Sequence, residues 1–443
     1  MKKILAFLLV LAFSLATFAC AEGYNGGGAY FESFGGAYKD GMSADGSLSD
    51  GSLDSEESGE SADKVDDESN EQEIVRIPAG MITAGAWNDN DNYKMWISLF
   101  NQGNAEEEIA DGKFYSYTVK DNLWGFNSLN RVKVNVTSAG APVSGATVVA
   151  YSTDGNALFS AVSDAQGNAY LFVNEVDGTV AVTSGEGSAK ADFTPQNREL
   201  SLELDSHAEK LNVIEIMFVV DVTGSMGDEI NFLKAELADV IGKIAKNDSQ
   251  TVIKLAFIFY RDVDDKVPFD EYEFLDVTNA DGMHQRQEDL EKQQASGGGD
   301  YEEAVDEALE RAVNAQWSTG ATTKLIFHVL DAPAHSGSKY EDKFNAAVVQ
   351  AAEKGIRICP ILCSGAAEIT EYTMRQAAIY TGGTFIFVTD DSGIGNPHYD
   401  PNIPNVTIEL LNSMLVRLVK GYHTGEFENP IYWREDPALA TEK

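Results

Sequence analysis

The sequence predicts a multidomain chain in which a doubly wound α/β domain is preceded by a small antiparallel β-sandwich. Three observations carry that prediction. Residues 212–422 alternate nearly continuous apolar runs with longer amphipathic stretches, as strands buried on both faces and joined by helices do. Residues 131–204 instead alternate apolar and polar positions between Gly/Asp turns, the mark of half-buried antiparallel strands. Residues 21–73 are rich in Gly, Ser and acids, and lack the apolar content to bury a core.

At the N-terminus, Met1-Lys2-Lys3 precedes the apolar stretch Ile4–Phe18, which reads as an export signal over residues 1–20. That stretch is too short to be read as a spanning helix. It ends in Ala19-Cys20-Ala21. Two readings stay open there. A Cys at this place resembles a bacterial lipobox, which implies a lipidated Cys20 anchored to the membrane without spanning it. The other is ordinary signal-peptidase cleavage at the A-x-A site. Either one places the chain in the cell envelope or on the extracellular surface.

Charge narrows the partners. The 443-residue chain carries a formal −39. Residues 22–73 hold 15 Asp/Glu against 2 Lys, a net −13, which leaves −26 for the rest. A surface this acidic repels nucleic-acid phosphates and suits cation binding.

The acidic stretch reads as a disordered, self-repelling tether. Residues 74–130 contain Trp87, Trp96 and Trp124 and read as an aromatic-rich docking segment, with an extended piece and a short helix near 92–101. In 131–204, Val132, Val134 and Val136 alternate with polar residues, and turns fall at 141–145 and 163–168. In 212–422, strands are expected at 214–220, 252–260, 272–277, 324–330, 356–363 and 384–388. Helices are expected at 227–246, 281–294, 301–316, 341–354, 368–381 and 405–420, leaving 423–443 as a tail. Cys359 and Cys363 fall on one strand, ~13 Å apart, too far for a disulfide, and read as buried hydrophobes.

The chemistry gathers at strand ends. The run Val213–Val220 stops at Asp221-Val222-Thr223-Gly224-Ser225-Met226. A second loop, Ser296-Gly297-Gly298-Gly299-Asp300-Tyr301-Glu302-Glu303, opens a helix, and a third, Asp331-Ala332-Pro333-Ala334-His335, follows the strand at 324–330. In an open α/β sheet, ligands bind at the carboxyl ends of the strands. Asp, Thr and Ser are hard oxygen donors suited to Mg²⁺, with Ca²⁺ or Mn²⁺ as alternatives.

These pieces, with Phe259-Tyr260-Arg261-Asp262, resemble von Willebrand factor A domains of the alpha-kinase-associated and hemicentin type. The D-x-T-x-S run resembles their metal-ion-dependent adhesion site. The resemblance implies that Thr223 and Ser225 ligate a cation directly, while Asp221 and Asp331 neutralise it and orient waters. The usual second-loop Thr is not apparent. Asp300 occupies the best-matching place and Ser296 is the alternative. The resemblance further implies a non-catalytic protein-binding module whose partner supplies an acidic side chain to the metal. The segment "PVSGATV … SDAQGNAYLF" is similar to carboxypeptidase regulatory-like sandwich domains, which implies a spacer. Two other readings remain: a metal-assisted hydrolase using the same ion, and an envelope scaffold without ligand; a hydrolytic triad of His328 or His335 with Ser336 and Asp331 lacks the G-x-S-x-G elbow. Arg261 is expected to pair with a nearby acid and brace the site.

Overall fold

The computed structural model describes residues 82–441 except 120–122, 248–249, 393–397, 402 and 405. The expected export signal, Cys20 and the acidic tether lie outside the described residues. The N-terminal part comprises β1 (Thr83–Trp87), α1 (Tyr93–Ser98) and α2 (Tyr115–Val119). Eight short strands follow: β2 (Arg131–Ser138), β3 (Ala141–Pro142), β4 (Thr147–Tyr151), β5 (Ala157–Val162), β6 (Asn168–Phe172), β7 (Gly178–Ser184), β8 (Gly187–Phe193) and β9 (Glu199–Leu204). The alternating part then runs β10 (Val213–Asp221), α3 (Gly227–Asn247), β11 (Val252–Tyr260), β12 (Phe269–Asp276), α4 (Ala280–Glu291), α5 (Val305–Asn314), β13 (Thr323–Leu330), α6 (Ser338–Lys354), β14 (Ile356–Leu362), α7 (Glu368–Thr381), β15 (Phe385–Thr389), β16 (Glu409–Leu410) and α8 (Leu411–Thr424).

The large sheet has eight strands in the order β12-β11-β10-β13-β14-β15-β1-β16. β11, β10, β13, β14 and β15 are parallel neighbours, while β12 and β1 join antiparallel. The apolar runs are continuous because both faces are covered. On β10, Ile214, Ile216, Phe218 and Val220 enter the core shared with α3 and α8, while Met217 and Val219 enter the core shared with α5 and α6. Alternate side chains thus reach opposite cores, as the two-residue strand repeat requires. The order reverses between β10 and β13, and their carboxyl ends form the switch-point crevice of a doubly wound sheet.

Strands β2–β9 form two four-stranded sheets, β3-β2-β6 with β9 beside β2, and β5-β4-β7-β8. Their inward residues, among them Val132, Val134, Val148, Val180 and Leu200, share one continuous core with α5–α7. Tyr380 of α7 stacks on Phe172 with centroids 4.4 Å apart and meets Phe159 and Phe126 edge-on. Arg357 donates to Val162 O at 2.8 Å. The two small sheets are therefore packed against the large domain along α6 and α7.

The aromatic segment also packs on this side. Arg375 of α7, fully buried, donates to Asp89 Oδ2 and Glu371 Oε1, each at 2.9 Å. Its guanidinium lies 5.1 Å from the Trp96 ring centroid. β1 extends the large sheet itself, pairing with β15 from Thr83↔Thr389 to Trp87↔Phe385.

Three expectations shift. The final helix starts at 411 rather than 405, because Glu409 and Leu410 pair with β1 and Leu411 N donates to Ile82 O at 2.8 Å. The third strand starts at 269 and is an antiparallel edge. The helix expected over 301–316 occupies 305–314, so Tyr301–Ala304 belong to the loop. Cys359 and Cys363 are free and buried.

A candidate cation site at the switch point

β10 delivers Asp221 to the sheet edge with no solvent exposure. Its Oδ1 accepts from Thr223 twice, from the backbone N at 2.9 Å and from the hydroxyl at 2.7 Å. Its Oδ2 is buried and has no hydrogen-bond partner. The chain then turns through a short 3₁₀ segment, Gly224–Met226, into α3, which leaves the Ser225 hydroxyl 3.4 Å from that of Thr223. Val220 pairs with Val329, so Asp331 leaves β13 within a residue of the level of Asp221. The Ser225 side chain is near enough to the Asp331 carboxyl to favour its ionised form. The structure therefore brings together four of the residues expected from the sequence: Asp221, Thr223, Ser225 and Asp331.

Asp300 and Ser296, the second-loop residues expected from the sequence, both lie in the exposed part of their loop. Ser296 uses its backbone, its N donating to Val222 O at 3.0 Å and its O accepting from Arg261 at 2.8 Å. The buried acid of this loop is Glu303, only 4% exposed, with Oε2 unpartnered. A Cβ on Gly298 would fall 2.8 Å from Glu303 Oε1 and 3.3 Å from Thr223 Cβ, so glycine is required for the loop to approach (φ +74°). A fourth acid, Glu229 on the first turn of α3, accepts from the Ser364 hydroxyl at 2.7 Å and has its other oxygen buried without a partner. Sequence reasoning missed both. Glu229 stands four residues after Ser225, the spacing that places it one helical turn above the loop.

The charges strain one another. Burial and then the Asp331 charge push Asp221 up to about 7, against the Thr223 hydrogen bonds and Arg261. Burial, then Asp221, Asp262, Asp331 and Asp265, push Glu303 up to about 9. Asp331 is raised by burial and Glu229, against the Ser225 side chain. Arg261 differs from expectation: it donates to the carbonyls of Ser296, Gln294 and Val267 rather than to a carboxylate. It braces the second loop and acts on Asp221 through space. His335 bonds Asp262 at 2.7 Å, and His328 lies 3.2 Å from the Tyr260 hydroxyl.

The donor set fits a hard divalent cation. Asp221 and Asp331, once ionised, would offset the charge of a divalent ion. Octahedral oxygens at ~2.1 Å from an ion stand about 3 Å apart, close to the Thr223–Ser225 hydroxyl spacing. Among the described residues no three His, Cys, Asp or Glu side chains are grouped to hold a metal ion.

The doubly wound sheet carries acids and hydroxyls at its switch point, and sequence comparison finds a matching family model over part of the chain. Residues 215–390 match the model of the von Willebrand factor A domain. The search of curated proteins found no match. Among solved structures, the chain is similar to the conserved hypothetical protein BatB from Bacteroides thetaiotaomicron at 12% identity and a TM-score of 0.32, covering 47% of this chain and 98% of that one. It is also similar to the pilus adhesin SpaC from Lactobacillus rhamnosus GG at 11% identity and a TM-score of 0.35, covering 56% of this chain and 32% of that one.

Proposed function

We propose that this chain is an exported cell-envelope or extracellular-surface protein that binds a protein partner through a divalent cation, Mg²⁺ or alternatively Ca²⁺ or Mn²⁺, held by Asp221, Thr223, Ser225 and Asp331. When bound, the cation supplies a concentrated positive charge with a position left open for an acidic side chain of the partner. Asp221 and Asp331 neutralise it from the sheet edge, and Thr223 and Ser225 present hydroxyl oxygens from the turn. The observation that carries this reading is the buried, unpartnered Asp221 Oδ2 at the switch point. Burying a carboxylate oxygen without a partner is costly, and a cation removes that cost.

The two small sheets fit a carboxypeptidase regulatory-like sandwich that fixes the orientation of the A domain, with Cys20 as lipid anchor ahead of the acidic tether. The histidines pair with residues other than Asp331, His335 with Asp262 and His328 with Tyr260. The test is calorimetric titration of the whole chain with Mg²⁺, Ca²⁺ and Mn²⁺, followed by capture of envelope proteins in Mg²⁺ and in EDTA. Wild type is expected to bind cation and to retain its partner only in Mg²⁺, while Asp221→Ala does neither. Partner retention that ignores EDTA and Asp221→Ala would overturn the reading.

A further inference from the structure

At the amino ends of β13 and β14, the opposite edge of the large sheet from Asp221, the chain encloses a cavity of about 370 Å³. Its walls come from both parts of the structure: the turn into β4 and the β7–β8 hairpin on one side, the loop before β13 and the end of α6 on the other. That volume falls at the lower end of what small-molecule sites have. Lys324, Lys354 and Arg357 line it, against the single acid Asp164. In a chain of formal charge −39, an excess of positive charge in one cavity calls for a ligand. We propose that this cavity binds a small molecule carrying a phosphate or sulfate group, held by Lys324, Lys354 and Arg357 between the small sheets and the large domain.

The three cations spend their hydrogen bonds on neutral oxygens. Lys324 donates to Lys354 O at 3.2 Å. Lys354 donates to Val313 O at 2.9 Å and Asn314 Oδ1 at 3.3 Å. Arg357 donates to Thr381 O at 2.7 Å and Val162 O at 2.8 Å. A lysine carries three donors and an arginine five, so each keeps at least one N–H for a ligand. The acids nearby are committed elsewhere. Asp164 Oδ1 accepts from the backbone of Gln166 and Asn168, and Glu215, which acts on Lys324 through space, pairs with Lys254 at 3.1 Å. Glu353, which acts on Lys354, is exposed. Burial lowers Lys324, and the Lys354 charge adds to that against Glu215; an anion between the two lysines relieves the repulsion.

The walls are held in place by close approach. A Cβ on Gly145 (φ +81°) would fall 2.3 Å from Ala321 Cβ, and one on Gly355 (φ +68°) 2.9 Å from Val162 Cβ. Glycine at both positions lets the small sheets meet the loop before β13 and the end of α6. Oxyanions suit such a site because several charge-assisted N–H bonds can converge on one group.

The test is calorimetric titration of the whole chain with inorganic phosphate, sulfate and glycerol phosphate, at ionic strength matched with chloride. Wild type is expected to bind in a one-to-one ratio. Tighter binding of glycerol phosphate assigns the cavity to a phosphate carried on a larger molecule, and tighter binding of the inorganic ions assigns it to the free ion. Lys324→Gln and Lys354→Gln should each weaken binding by at least about tenfold, the loss of one hydrogen bond to a charged group, and Lys354→Arg should recover most of it. Gln can still donate to the carbonyls, so a role in capping α5 and α6 alone would survive these changes, and circular dichroism in chloride checks that the variants fold. Lys343→Gln, on the same helix but facing Asp306 and Glu307, should stay within about twofold. The proposal is overturned if wild type takes up none of the three probes at millimolar concentration, if both Gln variants bind like wild type, or if Lys343→Gln loses as much as Lys354→Gln.

Discussion

Replacing Asp221 by Asn should make the cation-free protein more stable while abolishing its response to Mg²⁺. Asn keeps an oxygen for the two Thr223 donors at 2.9 and 2.7 Å, and it puts an NH₂ where Oδ2 now lacks a partner. Asp221 rises from 3.8 to about 7 on folding. A folded carboxyl raised in this way holds a proton that the unfolded chain has lost. Stability therefore falls as pH climbs from about 4 to 7 and is flat above that. The gap of about 3 units corresponds to roughly 4 kcal/mol as a ceiling. At about pH 8 in EDTA, Asp221→Asn should recover up to that amount, at roughly 2 °C or more in Tm per kcal/mol for a domain of this size. Near pH 4 the two proteins should coincide. Saturating Mg²⁺ should stabilise wild type by about 2.7 kcal/mol at a hundredfold excess over Kd and leave the variant unmoved. Urea unfolding followed by tryptophan fluorescence, in EDTA and in Mg²⁺ across this pH range, measures all of it. A variant that is no more stable than wild type in EDTA at pH 8, or that still responds to Mg²⁺, refutes the reasoning.

Arg375→Met should cost about 3–5 kcal/mol in urea unfolding, because it leaves Asp89 buried without its guanidinium; a loss under about 1 kcal/mol would show that the cluster contributes little. His328 is lowered by burial to about 3, so its contribution is complete above 6.5 and is lost as pH falls toward 3. That amounts to about 2–3 kcal/mol between pH 6.5 and 4.5. His328→Phe should flatten this part of the acid slope relative to wild type, and an unchanged difference between the two proteins across that range would contradict it.

Much of the scaffold was legible because its signals are local. The strands at 213–221, 323–330 and 356–362 announce themselves as apolar runs, and α7 occupies the expected 368–381. Asp221, Thr223 and Ser225 were legible for the same reason, since alternate positions on one turn put their oxygens on one side. Errors arose where distant segments intervene. The start of α8 depends on β1, more than 300 residues earlier in the chain, and no periodicity in 405–420 records that pairing. The burial of Glu303 depends on Pro333 and Ala334 holding its backbone, while Asp300, three residues earlier, has the better motif position and stays in solvent.

The sequence alone determined the alternating scaffold, the acidic character of the chain and the turn that carries the first oxygen donors, because each follows from short-range periodicity or simple charge. Tertiary structure decided which acids meet. Only the reversal of strand order sets β10 beside β13 and so brings Asp331 to Asp221. Only the loop packing against β13's exit turns Glu303 inward. Burial there raises the free energy of every ionised carboxyl, and burial is a property of neighbours that sequence order does not list.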